Sequence, residues 1–327
     1  MARLRPLAVG IAVAAMAISA LSCASAPPIQ PGLALELGLG TEPELLCTHD
    51  GVAVRAFRVG ADHPRRLYVF IHGWAGNGAE FLDVARELYA LDPDSGAWCV
   101  DLPGTGSSDK PADAPYDHAW FGQVIRACLA AAVDKAGADG QEPVVTLVGH
   151  SLGGHMAYRY AATDGALLDR LCLLAPAGLP GETGAFGKLA SRSPFAIGMA
   201  LSFLTEASYL RAHRARVIYD KDKFPEASAR YGGRSLATKE GKAALKAVTL
   251  RALEHDTIED AAGSLDLPVL LVWGHNDKVL PFRYASEFRA ILPPGHSFLE
   301  FERCGHCPHS EYPAELAASL DALARAP

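Results

Sequence analysis

Residues 144–162, VVTLVGHSLGGHMAYRYAA, form a continuous apolar run that stops at Gly149-His150-Ser151-Leu152-Gly153 and passes at once into a helical pattern. A strand that turns directly into a helix needs a sharp bend, and bulky neighbours would collide with it. Gly149 and Gly153 on either side of the serine meet that need. The run has no polar alternation, so it suits a strand covered on both faces, as in a parallel sheet between helices. Ser151 falls at the helix N-terminus, where backbone N–H groups are unpaired and the dipole favours negative charge. The G-x-S-x-G spacing in this context predicts a nucleophile elbow; the alternative is a glycine-rich turn with an incidental serine.

The same two textures recur along the chain. VAVRAFRV (52–59) alternates like a half-buried strand, and RLYVFIHG (66–73), RLCLLAPAG (170–178) and LPVLLVWGH (267–275) are continuous apolar runs. Helical patterns fall at 79–90, 119–136, 152–163, 282–291 and 311–325. This alternation predicts an α/β fold with a doubly wound, mostly parallel sheet. One interval breaks the rhythm. Residues 179–262 hold helical patterns such as SPFAIGMALSFLTEASYLRAHRARVIY and no convincing strand. An insertion of that size between two sheet strands reads as a helical cap over the C-terminal sheet edge, where open α/β folds bind ligands. The sheet core is then 41–178 together with 263–327.

The N-terminus is of a different material. Arg3 and Arg5 precede an uncharged apolar run from Leu7 to Leu21, followed by SALSCASAPP. That order predicts a secretory signal peptide over residues 1–22 and a Pro-rich tether over 23–40. ALSC resembles the lipobox of bacterial lipoproteins, with Ala20 where that motif usually has leucine. This implies a membrane partner through a lipid on Cys23. Soluble export with cleavage after Ala20 or Ala24, and an uncleaved anchor, are the alternatives. All three place the folded part in the cell envelope or outside it. Elsewhere, 30 basic and 37 acidic side chains give a net charge of −7, which offers no footprint for nucleic acid.

Five segments in order, HGWAG, DLPGTGSSDKP (101–111), GHSLGG, WGHNDKVLP (273–281) and CGHCPHSEYP (304–313), resemble the successive signatures of the α/β-hydrolase superfamily. They are most similar to its capped branch, which includes meta-cleavage-product hydrolases, cofactor-free haloperoxidases, haloalkane dehalogenases and epoxide hydrolases. The resemblance runs from about residue 50 to 325 and is weakest in the cap. It implies hydrolysis of a small-molecule substrate without cofactor or metal. It also implies Ser151 as nucleophile, Asp277 as acid and His306 as base, with the backbone amides of Trp74 and Leu152 as oxyanion donors. Asp277 follows PVLLVWGHN and His306 follows HSFLEFERCG, so both should project from loops at the sheet edge that carries the elbow. Turn formation is the alternative role for Asp277, and a pocket-wall aromatic the alternative for Trp74. His296 and His309 are rivals to His306; His150 and His155 read as structural neighbours of the serine.

Cys304-Gly305-His306-Cys307 resembles the active-site tetrad of protein disulfide isomerases, but nothing else in the chain resembles thioredoxin. No second ligand pair has zinc-site spacing. The loop is therefore expected to present His306, with Cys304 and Cys307 as small neighbours that could pair under oxidising conditions. Cys99, Cys128 and Cys172 fall in predicted core elements and read as buried thiols. A serine nucleophile excludes the ester-forming aspartate of haloalkane dehalogenases and epoxide hydrolases. A carboxylic ester of a small or medium apolar molecule is then the expected substrate. C–C bond, lactone, amide or peptide cleavage by the same triad and a non-catalytic binding role remain open. FAIGMALSFL (195–204) could line an acyl pocket, form the cap's own core or touch membrane.

Overall fold

The computed structural model describes residues 29–137, 142–180, 193–253, 257–258 and 265–326. The signal peptide and Cys23 lie outside the described residues. Eight strands form one sheet in the order β1-β2-β4-β3-β5-β6-β7-β8. They are β1 (Glu44–His49), β2 (Val52–Gly60), β3 (Arg66–Ile71), β4 (Ser95–Asp101), β5 (Val144–His150), β6 (Arg170–Leu174), β7 (Val269–Gly274) and β8 (Ser297–Phe301). β1 and β2 are antiparallel at one edge, and every pairing from β4 to β8 is parallel. The expected doubly wound α/β architecture is therefore present.

The continuous apolar runs split by a period of two. Leu67, Val69 and Ile71 of β3 face one core with Leu147, Leu171 and Leu271, whereas Tyr68 and Phe70 face the other with Val148, Cys172 and Leu270. Each face is covered by helices, and this is why neither face could be polar. After the short α1 (Leu33–Glu36), helices α2 (Leu82–Leu91) and α11 (Pro313–Ala324) cover the second face. Helices α3 (His118–Ala136), α4 (Leu152–Thr163) and α9 (Arg283–Ile291) cover the first. The short α10 (Pro308–Glu311) precedes α11.

Three features depart from the sequence reading. β4, SGAWCVD, is buried at every position, yet it starts with small residues that carry little strand signal. β1 is an edge strand whose pairing skips a residue between Leu45 and Cys47, and such a bulge blurs alternation. The tether expected over 23–40 ends sooner than its bounds. Leu33, Ala34 and Leu39 are buried against Phe81, Val84 and Leu88, because their apolar surface is withdrawn from water there.

Between β6 and β7 the described residues hold helices α5 (Pro194–Ser202), α6 (Glu206–Arg216), α7 (Glu226–Ala237) and α8 (Lys239–Arg251), and no strand. Ile197, Leu201 and Leu204 join Tyr209, Leu236 and Leu245 in a separate apolar cluster, while Phe195 and Met199 face solvent. These helices bond to loops at the C-terminal sheet edge. Trp74 Nε1 donates to Thr249 Oγ1 at 2.9 Å and Tyr209 Oη to the Ala75 carbonyl at 3.0 Å. Tyr231 Oη donates to Asp101 Oδ2 at 2.6 Å, at the last residue of β4.

Candidate active site

The strand order places the site. The chain leaves β3 for β4 on one side, and β5 then pairs with β3 on the other, with Ile71 opposite Gly149. The loops after β3 and β5 therefore start side by side and lead to opposite sides of β3, which places the crevice of an open α/β sheet at these C-terminal ends. Ser151 stands in it at φ 53° and ψ −120°, a left-handed conformation that a side-chain-bearing residue adopts only when its surroundings enforce it. Its N–H donates to the Leu174 carbonyl at 2.9 Å, and its carbonyl accepts from His155 and Ala177 at 3.1 and 3.0 Å. The flanking glycines are required by close backbone approach. A Cβ on Gly153 would lie 2.3 Å from the His72 carbonyl oxygen, and one on Gly149 would lie 2.5 Å from that of Gly153.

The loop after β3 presses against the elbow, since a Cβ on Gly73 would lie 2.8 Å from Ser151 Cβ. His72 pins that loop. Its Nε2 accepts from the Leu102 N–H at 3.1 Å, which leaves the proton on Nδ1 to donate to the Gly73 carbonyl at 2.8 Å. Neither the Trp74 nor the Leu152 amide donates to a protein acceptor among the described residues. Among the described residues, the N–H groups that follow Ser151 and Gly73 are thus left without a protein acceptor where the two loops approach.

His306 Nδ1 donates to Asp277 Oδ2 at 2.7 Å, both side chains being buried. The other oxygen, Oδ1, accepts from the Val279 and Leu280 amides at 2.7 and 2.8 Å, so the carboxylate cannot swing away. His150, next to Ser151, donates from Nε2 to the His306 carbonyl at 2.9 Å, and the two rings lie 4.6 Å apart. The structure therefore brings Asp277 and His306 into contact and sets His306 against the residue before Ser151.

Of the two rivals, His296 bonds back to Pro293 in its own turn, and His309 packs tilted against Phe81 at 4.7 Å and against His150 at 4.5 Å. His155, the structural neighbour, packs 4.1 Å from the His118 ring. Sequence reading did not single out Glu311. Its buried Oε1 accepts from the Gly305 and Tyr219 amides at 2.7 and 3.1 Å, and Oε2 accepts from Asp220 at 2.8 Å. It ties the loop that carries His306 to the segment after α6, and the His306 N–H adds a 2.8 Å bond to the Val217 carbonyl. A glutamate five residues past a histidine carries no local sign of that burial.

Cys304 and Cys307 are free thiols with separate surroundings: Cys304 Sγ lies 3.5 Å from the Gly305 carbonyl, and Cys307 Sγ 4.0 Å from His150 Nε2. Burial raises the pKa of both thiols, which disfavours the reactive thiolate. His150, Cys307 and His309 are the metal-capable group among the described residues, with ligand atoms spread over as much as 4.8 Å. Tetrahedral zinc ligands sit roughly 3.5 Å apart, so these three form a looser packing cluster.

Burial holds several histidines neutral. Desolvation lowers the pKa of His72, His150 and His155, and brings His213 to about 4 and His309 to about 3. Desolvation pushes the Glu80 carboxyl the other way, to about 8. The signs oppose. As pH falls below the unfolded histidine value, the unfolded chain binds protons that the folded one refuses, and stability drops. The Glu80 penalty is present at neutral pH and is relieved on acidification. Between pH 7 and 5 His309 and Glu80 act in opposite directions, and the other buried histidines act with His309. Thermal midpoints should therefore fall from pH 7 to 5, more steeply in Glu80→Gln and less steeply in His309→Phe. Midpoints that rise on acidification would refute this assignment.

Comparison with known proteins gives the same fold. Residues 68–319 match the Alpha/beta hydrolase family. An uncharacterised protein of Mycobacterium tuberculosis is 29% identical over 284 residues, 80% of this chain and 75% of its own. A pimeloyl-acyl-carrier protein methyl ester esterase of Neisseria meningitidis is 28% identical over 265 residues, covering 79% of this chain and 92% of that protein. Among solved structures, a bacterial membrane phospholipase A superposes with a TM-score of 0.67 at 24% identity, over 89% of this chain and 90% of that one. An esterase from Exiguobacterium antarcticum does so with a TM-score of 0.69 at 20% identity, over 87% and 100%. These two likenesses concern the fold. With the strand order and the elbow already in place, the match across most of the sequence makes this chain a member of the Alpha/beta hydrolase family.

Proposed function

We propose that this chain is a serine hydrolase that cleaves carboxylic esters of small or medium apolar molecules through an acyl-enzyme. The observation that carries the reading is the buried 2.7 Å hydrogen bond from His306 to Asp277, at the sheet edge where Ser151 is held in its strained turn. In this reading His306 Nε2, the nitrogen left without a proton, accepts the Ser151 proton as Oγ attacks the carbonyl carbon. Asp277 holds the tautomer and stabilises the imidazolium, and the Trp74 and Leu152 amides receive the oxyanion. The imidazolium then protonates the leaving alcohol, and a water activated by the same ring releases the acid.

The choice of ester rests on two supports. A narrow crevice of about 20 Å³ beside the proposed oxyanion donors is lined by Trp74, Leu102, Leu152, Met156, Leu245 and Val248; its lining is apolar, and an acyl group would enter as the helix that carries Leu245 and Val248 moves outward. One of the similar proteins is named as a methyl ester esterase. Helices of the 179–262 insertion would act as the cap that closes this crevice, in keeping with the capped branch. The basic-then-apolar N-terminus supports export with lipidation at Cys23.

Purified protein should hydrolyse p-nitrophenyl esters from acetate to octanoate in preference to lactones, amides and diketones, and a fluorophosphonate should label Ser151. Absence of both turnover and label would favour a non-catalytic binding role. Faster cleavage of a diketone or amide would move the substrate class while keeping the triad.

A further inference from the structure

Six free cysteines lie among the described residues, and one pair of thiols is in contact across distant parts of the chain. Cys47 Sγ of β1 and Cys128 Sγ of α3 are 3.8 Å apart, at a separation of 81 positions. The skipped pairing between Leu45 and Cys47 sets the side chain of Cys47 toward α3. β1 is hydrogen-bonded on one side alone, so it can move in by the distance a bond requires. Sulfurs joined in a disulfide sit about 2.0 Å apart, which demands a modest side-chain rotation and a small shift of this edge strand.

We propose that Cys47 and Cys128 form a disulfide that staples edge strand β1 to helix α3 when the chain meets a disulfide oxidant of the glutathione class. The two sulfurs differ in a way that sets the order of steps. Cys47 is half-buried, whereas Cys128 is fully buried. The Cys128 thiol hydrogen-bonds to Cys47 and lowers its pKa, while the same contact and burial raise that of Cys128. Cys47 therefore attacks as thiolate, forms a mixed disulfide with one half of the oxidant and expels the other half as a thiol. Cys128 then loses its proton, attacks the Cys47 sulfur and releases the second half as a thiol. Two protein thiols are oxidised, one oxidant disulfide is reduced to two thiols, and the protons pass to those products. The staple closes a long loop that contains β2, β3 and β4, so it restricts the unfolded chain strongly.

The test uses the full-length protein equilibrated with oxidised glutathione, denatured, blocked with N-ethylmaleimide, digested and mapped by mass. The expected result is a peptide joining Cys47 to Cys128. The thermal midpoint should rise by about 5–10 °C, reverse with dithiothreitol and stay unmoved in Cys47→Ser. Hydrolysis of p-nitrophenyl butyrate should be the same in both redox forms, since neither Cys47 nor Cys128 lines the crevice. The proposal is overturned if both cysteines are recovered as maleimide adducts, if Cys47 remains a glutathione adduct, or if it is joined to another cysteine, Cys23 included. Loss of ester turnover in every form would refute the hydrolase reading and leave this one intact.

Discussion

Ser151→Ala should lower kcat/KM for p-nitrophenyl butyrate by about 10⁵-fold or more, with an unchanged far-UV spectrum and thermal midpoint. The substitution removes one oxygen and keeps Cβ, so the strain of a side chain at φ 53° is the same in both proteins. The bonds that hold the elbow come from the backbone of residue 151 to Leu174, His155 and Ala177, and these are unaffected. What disappears is the atom that forms the acyl-enzyme in the proposed reading. Any residual rate would come from the Trp74 and Leu152 amides polarising a bound carbonyl toward water, worth about 10³–10⁴-fold over solution. The measurement is turnover on a homogeneous preparation, with fluorophosphonate labelling in parallel. A variant that keeps a tenth of wild-type activity would remove Ser151 from the chemistry.

Asp277→Asn should cost about 10⁴-fold in kcat while leaving KM close to wild type. The argument rests on which atom meets the imidazole. Oδ1 is held by the Val279 and Leu280 amides at 2.7 and 2.8 Å, and an asparagine keeps that acceptor in place. Its amide nitrogen must then occupy the position of Oδ2, 2.7 Å from His306 Nδ1. Two donors would face each other there, so the ring should shift its proton to Nε2, the nitrogen that receives the serine proton in the proposed reading. Geometry survives and the tautomer is wrong, which is why the loss should fall on kcat. Adding Asp277→Asn to Ser151→Ala should change little further, because the two side chains act as a unit. A tenfold loss or less in the single variant would reduce Asp277 to a turn-forming role.

Local features of the sequence were sufficient for a good part of this. A run of Val and Leu without alternation can be satisfied only between two apolar layers, and glycines on both sides of Ser151 are explained only by a turn as tight as the one observed. Strand ends followed by His-Asn-Asp and Cys-Gly-His marked the loops that meet above the sheet. β4 escaped because Ser95 and Gly96 lack the branched side chains that signal strands, and its pairing depends on β2 and β3 instead. The packing of Leu33, Ala34 and Leu39 onto the second core face escaped for a related reason, since a short apolar segment after a Pro-rich stretch has no periodicity of its own.

By itself, then, the sequence determined the alternation of elements, the elbow and the residue types at the strand ends, because each depends on neighbours within a few positions. Only the tertiary structure decided which of the clustered histidines meets Asp277, and that His309 and Glu80 share a buried pocket where each is held uncharged. It alone showed that Glu311 ties the His306 loop to the helical insertion, and that Cys47 touches Cys128 across 81 positions. The physical reason is common to all of these. Desolvation and contact are set by the order in which strands pair, and that order is a property of long-range closure that no local period carries.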